Sequence, residues 1–438
     1  MIRCFIQAGA IISIAAVSAA WAQVPEASPG DWPWWRGPLF NGVAAPGPPA
    51  PLEWSETKNV AWKVPVPGRG HSSPIVLGNR VLLATADDQA QVQSVVCFDR
   101  KTGAQLWKQD VNEGGFPERI HPKNTHATAT IASDGTLLFA SFLHHGGVHL
   151  VALDLNGKPV WQQEAGKFTP DEYRNGYAAS PLLYGDLVIV AGDFDGDDSF
   201  LTAFDRATGE RAWQTPRPAR INYASPVVAH VAGRDQLLIS GCDIVAGYDP
   251  LDGKQLWKTA ATTMATAGTM VWEQELVFAS GGFPDAETAC IRADGSGEVV
   301  WQNKQKSYEQ SMLTYDGHLY AINDGGVAYC WDAKTGDERW HQRLRGPMNA
   351  SPVLANGNIY APNEHGTIWV YRATPERFEL VAENQLGSEM LATPAICGGQ
   401  IFLRVADGTD EKRKETLYCI QNNSSIGLPS GKSEMGRP

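Results

Sequence analysis

The chain is short of positive charge. Its 36 Lys and Arg residues stand against 48 Asp and Glu residues, which gives a net charge of −12 at pH 7. An acidic surface repels the phosphate backbone of nucleic acids. The short basic run from Lys412 to Lys414 is flanked by Glu411 and Glu415 and lies in a predicted hairpin loop. We therefore expect no nucleic-acid partner.

Familiar catalytic motifs are missing as well. The sequence contains no Gly-x-Ser-x-Gly motif, no phosphate-cradling glycine motif and no His-Glu-x-x-His motif. Each of these patterns places reactive groups on a particular local turn or helix face. Their absence means that nothing in the sequence favours nucleophilic catalysis or a standard zinc site.

Long hydrophobic runs are confined to the start of the chain. Arg3 precedes an apolar stretch from residue 5 to 20, and Ala20 and Ala22 form a small-x-small cleavage site. We predict a cleaved signal peptide at residues 1–22 and a periplasmic or extracellular mature protein. Cleavage removes Arg3 and changes the net charge from −12 to −13. Cys4 precedes the apolar stretch and is no lipoprotein acceptor, and no later run is long enough to be a transmembrane segment.

Adjacent cysteines are absent too. Six cysteines remain after cleavage, and three of them, Cys97, Cys330 and Cys419, occupy similar positions in different repeats. Equivalent points of separate repeats lie too far apart for a disulfide, which needs Cα atoms roughly 4.4 to 6.8 Å apart. We expect free thiols that fill space in the core.

A nine-residue repeat dominates the rest of the chain. The pattern Asp-x-x-Thr-Gly-x-x-x-Trp runs from Asp99 to Trp107, from Asp205 to Trp213 and from Asp332 to Trp340, with a close copy ending at Trp257. The apolar runs before it are typical of strands, the Asp and Thr side chains can bond the turn backbone, and Gly accepts a positive φ. The repeat therefore predicts a β-hairpin whose Trp packs between neighbouring units.

The spacing of the repeat predicts a β-propeller. Tryptophans at 62, 107, 161, 213, 257, 301 and 340 are separated by 39 to 54 residues, a period typical of four-stranded blades. A second repeat of Ser-Pro type, as in Ser72–Val76, precedes each hairpin and predicts the innermost strand, where proline is tolerated because one side of the strand has no ladder partner.

Counting the hairpins gives an all-β fold of eight blades. Seven hairpins are continuous, and the eighth blade combines three C-terminal strands from residue 391 to 421 with one N-terminal strand, Val60–Val64. The predicted propeller spans residues 59–421 and closes its ring with this strand. Residues 23–58, rich in Trp and Pro, form a predicted strap that lies on the blades or offers its tryptophans to a ligand, and residues 422–438 a disordered tail. We expect a monomer.

These hairpins and Ser-Pro strands resemble the repeats of pyrroloquinoline-quinone-type (PQQ-like) β-propellers. The resemblance covers residues 59–421. The segments Trp32–Gly42, Val60–Trp62 and Gly68–Pro74 are similar to a group of exported bacterial PQQ-like repeat proteins. It implies two directions for function. Quinoprotein alcohol dehydrogenases carry PQQ and Ca²⁺ over the channel, together with a disulfide between adjacent cysteines that this chain lacks. The propeller lipoprotein of outer-membrane protein assembly is a scaffold without cofactor.

Loops that lead into the inner strands converge on one mouth of the channel. Polar side chains there can bind an anionic or sugar-like ligand, or can simply cap loops around a water-filled channel. The candidates are Arg69, His71, Lys123, Asn124, His126, Tyr177, Tyr223, Asn349 and Glu389.

Two clusters are candidates for metal binding. Asp193, Asp195 and Asp197 lie in an acidic loop without the spacing of an EF-hand. His144 and His145 lie in a histidine-rich stretch that fits no zinc signature. The alternative for both clusters is a solvated loop.

The sequence favours an exported binding or scaffold module without chemistry of its own and without a cofactor. Its partner is a protein, a glycan or a small molecule at the propeller face. One alternative is an oxidoreductase that binds PQQ with Ca²⁺ above the channel. The other is a metal-dependent hydrolase or lyase near the blade that carries His126, His144 and His145.

Overall fold

The computed structural model describes residues 25–408 and 412–422. The predicted signal peptide, at residues 1–22, and nearly all of the predicted tail, at residues 422–438, lie outside the described residues. Within the described part, strands form eight four-stranded antiparallel sheets. This confirms the predicted eight-bladed propeller.

The strands follow each other regularly along the chain. The first strand, β1 (Val60–Val66), belongs to the last blade. Blades one to four contain, from the axis outwards, β2–β5 (Ile75–Leu77, Arg80–Asp87, Val92–Asp99, Gln105–Glu113), β6–β9 (Ala132–Ser133, Leu137–His144, Gly147–Asp154, Pro159–Lys167), β10–β13 (Leu182–Tyr184, Leu187–Gly192, Phe200–Asp205, Arg211–Pro216) and β14–β17 (Val227–Val231, Arg234–Gly241, Ile244–Tyr248, Gln255–Ala260). Blades five to eight contain β18–β21 (Val271–Glu273, Leu276–Gly281, Glu287–Arg292, Val299–Asn303), β22–β25 (Leu313–Tyr315, His318–Ile322, Val327–Asp332, Glu338–Arg343), β26–β29 (Val353–Ala355, Asn358–Pro362, Thr367–Arg372, Leu380–Gln385) and β30–β32 (Ala395–Cys397, Gln400–Asp407, Lys414–Gln421).

The eighth blade joins the two ends of the fold. Its strand order is β30, β31, β32 and then β1, and β1 pairs antiparallel with β32, with Lys63 opposite Tyr418. The pairing occupies the strand edge that β32 would otherwise expose. The ring is therefore held shut by backbone hydrogen bonds between chain segments more than 340 residues apart.

Each repeated turn is closed by its own side chains. In blade one, Asp99 Oδ1 accepts the backbone N–H groups of Lys101 at 3.0 Å and of Thr102 at 2.8 Å. Asp205 makes the same bonds in blade three, with Thr208 N at 2.8 Å. The Asp of the repeat thus fixes the hairpin turn, as the sequence predicts.

Five of the repeat tryptophans pack on the turn glycine of the next blade. A Cβ added to Gly103 would lie 2.7 Å from the ring of Trp62, and one added to Gly157 would lie 2.7 Å from Trp107. The same arrangement recurs at Gly209, Gly253 and Gly336. The indole N–H of Trp62 also donates to Arg100 O, in the next blade, at 2.9 Å. Trp62 therefore joins blade eight to blade one through one ring contact and one hydrogen bond.

The six cysteines of the described residues are free and buried, as predicted. Burial raises the pKa of the Cys97 and Cys290 thiols to about 12. Thiols of this kind are poor nucleophiles because the thiolate is the reactive form.

The Ser-Pro repeats form a belt of hydroxyl groups around the channel. The prolines come just before the inner strands rather than within them, so that β2 begins at Ile75, after Pro74. At seven of the eight blade junctions the N–H of a belt residue donates, at 2.9 or 3.0 Å, to the hydroxyl of the belt residue in the neighbouring blade. The belt consists of Ser73, Thr130, Ser180, Ser225, Thr269, Ser311, Ser351 and Thr393.

The strap crosses one face of the propeller and its middle reaches the axis. It pairs with blade one through Trp32 and Val76, and with blade seven through Val43 and Leu354. Between these points, the indole N–H of Trp35 donates to the belt hydroxyl of Thr269 at 2.8 Å. Trp32 and Trp34 are buried, so these two pack on the blades, whereas Trp35 is only partly buried.

The buried guanidinium of Arg36 anchors the strap beside the axis. It donates to the carbonyl oxygens of Pro352 at 2.9 Å and of Met312 at 2.5 Å, each of which follows a belt residue. Burial lowers the pKa of Arg36 to about 9. The strap is therefore bonded to the same inner segments as the belt.

Gly336 and Gly357 provide a matched test of the tryptophan contact. Their φ values are +75° and +73°, but an added Cβ meets Trp301 at 2.7 Å at Gly336 and nothing within 4 Å at Gly357. We expect Gly357→Ala to lower the free energy of unfolding by about 1–2 kcal/mol for its backbone alone. Gly336→Ala should lose about 1–3 kcal/mol more because of the collision. Urea unfolding followed by fluorescence measures both, and equal losses would contradict the contact.

Ser311 tests the hydroxyl belt. Ser311→Ala leaves the buried N–H of Thr269 without its acceptor, which should lower the free energy of unfolding by about 1–3 kcal/mol. Ser311→Thr keeps the hydroxyl, as at Thr130 and Thr393, and should cost clearly less. Thermal melts of the two variants decide the matter, and a tolerated alanine would show that the belt contributes little.

Candidate functional site

The channel forms a pocket of about 250 Å³ whose floor is Trp35. Six of the eight belt residues line its lower wall. Because the inner segments are extended, side chains two positions apart point the same way. The belt therefore predicts which residues form the next layer of the wall.

A second ring of side chains stands directly above the belt. Each member is two residues before a belt residue, and all eight line the pocket. The members of this upper ring are His71, Thr128, Ala178, Tyr223, Ala267, Glu309, Asn349 and Leu391. Its composition is mostly uncharged, with Glu309 as its only acid.

The rim above this ring carries one ion pair. Lys123 Nζ lies 2.8 Å and 2.9 Å from the two carboxylate oxygens of Glu364. The hydrogen bond to Glu364 raises the pKa of Lys123. Asn124, Asn175 and His121 also line the pocket at this level. The lysine charge is thus matched by a carboxylate that holds it with both oxygens.

Glu309 is an acid with an altered proton affinity. Burial, followed by the charges of Asp324 and Glu364, raises its pKa from 4.5 to about 7. Lys123 and Lys306 act in the opposite direction. Its carboxylate accepts a hydrogen bond from Asn349 Nδ2 at 2.9 Å. Near neutral pH the group therefore exists in both protonation states.

His71 stays neutral. Burial and then the charges of Arg69, Arg404 and Arg413 bring its pKa well below 6.5. Its Nε2 is buried and has no hydrogen-bond partner among the described residues. A neutral imidazole at the pocket wall can donate or accept one hydrogen bond from a ligand.

Five of the nine sequence-predicted mouth residues line this pocket: His71, Lys123, Asn124, Tyr223 and Asn349. The expected placement of Arg69 and Glu389 needs correction. Both lie in a neighbouring groove between blades eight and one, where Glu389 pairs with Arg413 at 2.8 Å. Arg69 and Glu389 each precede a belt residue by four positions, where the loop lies away from the propeller axis.

The placement of His126 and Tyr177 was also wrong. His126 stacks on Phe116 at a ring separation of 4.1 Å, and Tyr177 is buried against Phe168 at 5.7 Å. Neither lines the central pocket. Tyr177 is three residues before Ser180, so the alternation of extended backbone turns it away from the axis.

Sequence reasoning missed Glu309 and Tyr308, which both line the pocket. Ser311 is followed by Met312 rather than by proline, so the worn Ser-Pro repeat in this blade escaped notice. Recognition of Ser311 as the belt residue would have pointed to Glu309 two positions earlier.

The acidic loop forms protein contacts. Asp193 is buried and pairs with Arg217 at 2.8 Å, and Asp195 accepts the backbone N–H groups of Asp171 and Glu172 at 3.0 and 2.7 Å. Asp197 is exposed. The three carboxylates thus face different neighbours and are not brought together.

The histidine cluster consists of rings in tilted and edge-on contact in blade two. His144 lies 4.0 Å from His149 and 5.1 Å from His145, measured between ring centroids. Burial, together with these neighbours, lowers the pKa of His144 to about 4. Within residues 25–408 and 412–422, no group of three or more His, Cys, Asp or Glu side chains is arranged to hold a metal ion.

Comparison with known proteins defines the family. The family model described as outer membrane protein assembly factor BamB matches residues 91–314 and 285–377, more than half of the chain. The chain belongs to this family of PQQ-like repeat propellers. Outer membrane protein assembly factor BamB of Moranella endobia (strain PCIT) is 21% identical over 360 residues, which cover 76% of this chain and 83% of the relative.

Solved structures show the same fold. BamB from Moraxella catarrhalis superposes with a TM-score of 0.59 at 15% identity, covering 84% of this chain and 99% of that one. A europium-containing methanol dehydrogenase gives a TM-score of 0.62 at 13% identity, with 88% and 91% covered. At these identities the likeness concerns the fold alone. The described part of the chain contains no helix that is long and apolar enough to span a membrane.

The raised pKa of Glu309 predicts a pH-dependent stability. Between pH 4.5 and 7 the folded chain keeps a proton that the unfolded chain has released, so stability falls as the pH rises through this window. Glu309→Gln should match the wild type near pH 4.5 and exceed its free energy of unfolding at pH 8 by about 1–2 kcal/mol, discounted because pocket water screens the group. Urea unfolding at both pH values measures this.

The control for this prediction is Glu383→Gln, on the exposed outer strand β29. It removes one exposed carboxylate outside the pocket and measures the change in stability that this removal alone produces at each pH. An equal shift for Glu309→Gln would contradict the altered proton affinity.

Proposed function

We propose that the protein is an exported binding module without chemistry of its own, which holds its partner at the mouth of the propeller channel. The observation that carries this proposal is the blind pocket above the belt. Its wall consists of side chains from all eight blades, and its floor is contributed by the strap. A site assembled from every repeat is rigid, because no single loop can move without its neighbours.

The names of the relatives support export and a scaffold role. The curated relatives are outer membrane protein assembly factors. A protein of the outer envelope must leave the cytoplasm, which agrees with the predicted signal peptide at residues 1–22. We therefore place the protein in the periplasm or outside the cell as part of the proposal.

The pocket residues do not fit PQQ with Ca²⁺. PQQ carries several carboxylates, whereas Lys123 is already bonded by Glu364, and Glu309 adds a second acid to the wall. A polyanion would meet more negative than positive charge here. The charges of this chain thus favour a binding role over the quinoprotein alternative.

Photo-crosslinking in the native host tests the proposal. In one variant a photoreactive amino acid replaces His121 at the pocket rim. In the control variant it replaces Lys334, in an exposed turn of blade six on the propeller face that the strap crosses. We expect a discrete adduct from position 121 and none from position 334, and recovery of the chain from the envelope or medium. Adducts of equal yield from both positions would contradict recognition at the mouth.

Catalysis has its own test. Purified protein is mixed with PQQ, Ca²⁺ and an artificial electron acceptor, and oxidation of simple alcohols is followed by dye reduction. We expect no dye reduction above the level without protein. Turnover that depends on PQQ and disappears in Glu309→Gln would overturn the non-catalytic proposal.

A further inference from the structure

The pocket offers hydrogen-bonding groups that are nearly all uncharged. Belt hydroxyls such as Ser180 and Ser351 accept a backbone N–H from the neighbouring blade and keep their own hydrogen to donate. Tyr223 likewise accepts from Asn175 Nδ2 at 2.6 Å and can donate from its phenol. His71 adds its unpartnered Nε2. The wall therefore suits a ligand with many neutral oxygen atoms.

Aromatic rings occupy the remaining wall. Trp35 forms the floor, and Tyr223 and Tyr308 stand on one side of the pocket. Apolar ring faces beside a few convergent polar groups are typical of sites that hold a compact, partly polar ring. A flexible charged chain would use neither the aromatic faces nor the belt.

The charges present are already engaged. Both oxygens of Glu364 are bonded to Lys123, and Glu309 accepts from Asn349 and takes up a proton near neutral pH. Among the described residues that line the pocket, an anion would find no cation free of an ion pair, and a cation would compete with Lys123. Neutral ligands escape both costs.

The size of the pocket suits a small ring. The volume of about 250 Å³ corresponds to roughly eight water molecules at ~30 Å³ each. This space admits one six-membered sugar ring.

We propose that the pocket binds a single neutral pyranose ring, stacked on Trp35 or the tyrosines and hydrogen-bonded by the belt hydroxyls, Asn349 and His71. The inference rests on the proposed binding function at the channel mouth and names its ligand class.

Ligand-observed NMR on the purified chain tests this inference. The neutral probes are the methyl pyranosides of glucose, galactose and mannose, with glucuronate as anionic and glucosamine as cationic comparison. We expect at least one neutral pyranoside to bind in the millimolar range or tighter, and both charged sugars to bind more weakly. Preferred binding of glucuronate or glucosamine would overturn the neutral class.

Matched variants locate the binding. Asn349→Ala and Tyr223→Ala should each weaken the affinity about tenfold or more. Asn156→Ala and Tyr315→Ala, both at exposed positions outside the pocket, should leave it unchanged. Thermal melts of all four variants verify that they fold, and equal effects of the two pairs would overturn the assignment to this pocket.

The NMR and crosslinking results together distinguish failure of the pyranose proposal from failure of the proposed function. No neutral pyranoside bound, with the position 121 adduct intact, refutes the sugar and leaves the binding module. Absence of both refutes the two together.

Discussion

The contact between a tryptophan and the turn glycine of the next blade is the interaction on which this ring depends. The contact has two requirements, seen where Trp62 meets Gly103 and where Trp301 meets Gly336. The glycine must have a positive φ to form the turn, and it must lack a Cβ to leave room for the indole ring. A four-stranded blade has two faces to bury, and this contact sets the distance at which the next blade covers one of them. It recurs at five of the eight blade junctions, including the one between the last blade and the first, where Trp62 of β1 meets Gly103.

The belt aligns the inner segments of the regularly spaced blades, and this alignment forms the pocket. At seven of the eight junctions an inner segment donates its N–H to the hydroxyl of a neighbour, so the extended loops above the belt are aligned with one another. Because side chains alternate along the extended loops, this alignment places the residues two positions before the belt in the pocket wall. At Thr269 the hydroxyl accepts from Trp35 of the strap, which couples the floor of the pocket to the same hydrogen-bond system.

The pocket that results is nearly neutral within an acidic protein. Lys123 is matched by Glu364, His71 remains uncharged, and Glu309 titrates near neutral pH. These states follow from burial among groups of several blades rather than from any local motif. The likeness to methanol dehydrogenase is therefore one of architecture, while the charges at the mouth are the chain's own.

The sequence by itself determined the blade count, the turns, the role of the tryptophans and the split blade, because these rest on local patterns that recur at a fixed period. It also located His71, Tyr223 and Asn349 on the pocket wall, since they precede recognisable Ser-Pro segments. Only the tertiary structure decided that Glu309 joins them, that Tyr177 turns away and that Trp35 forms the floor. The positions of Glu309 and Tyr177 depend on which side chains of an extended segment point toward the axis, and the Ser-Pro repeat that follows Glu309 is degraded. The position of Trp35 depends on the path of the strap, which has no repeat. Local sequence patterns show neither.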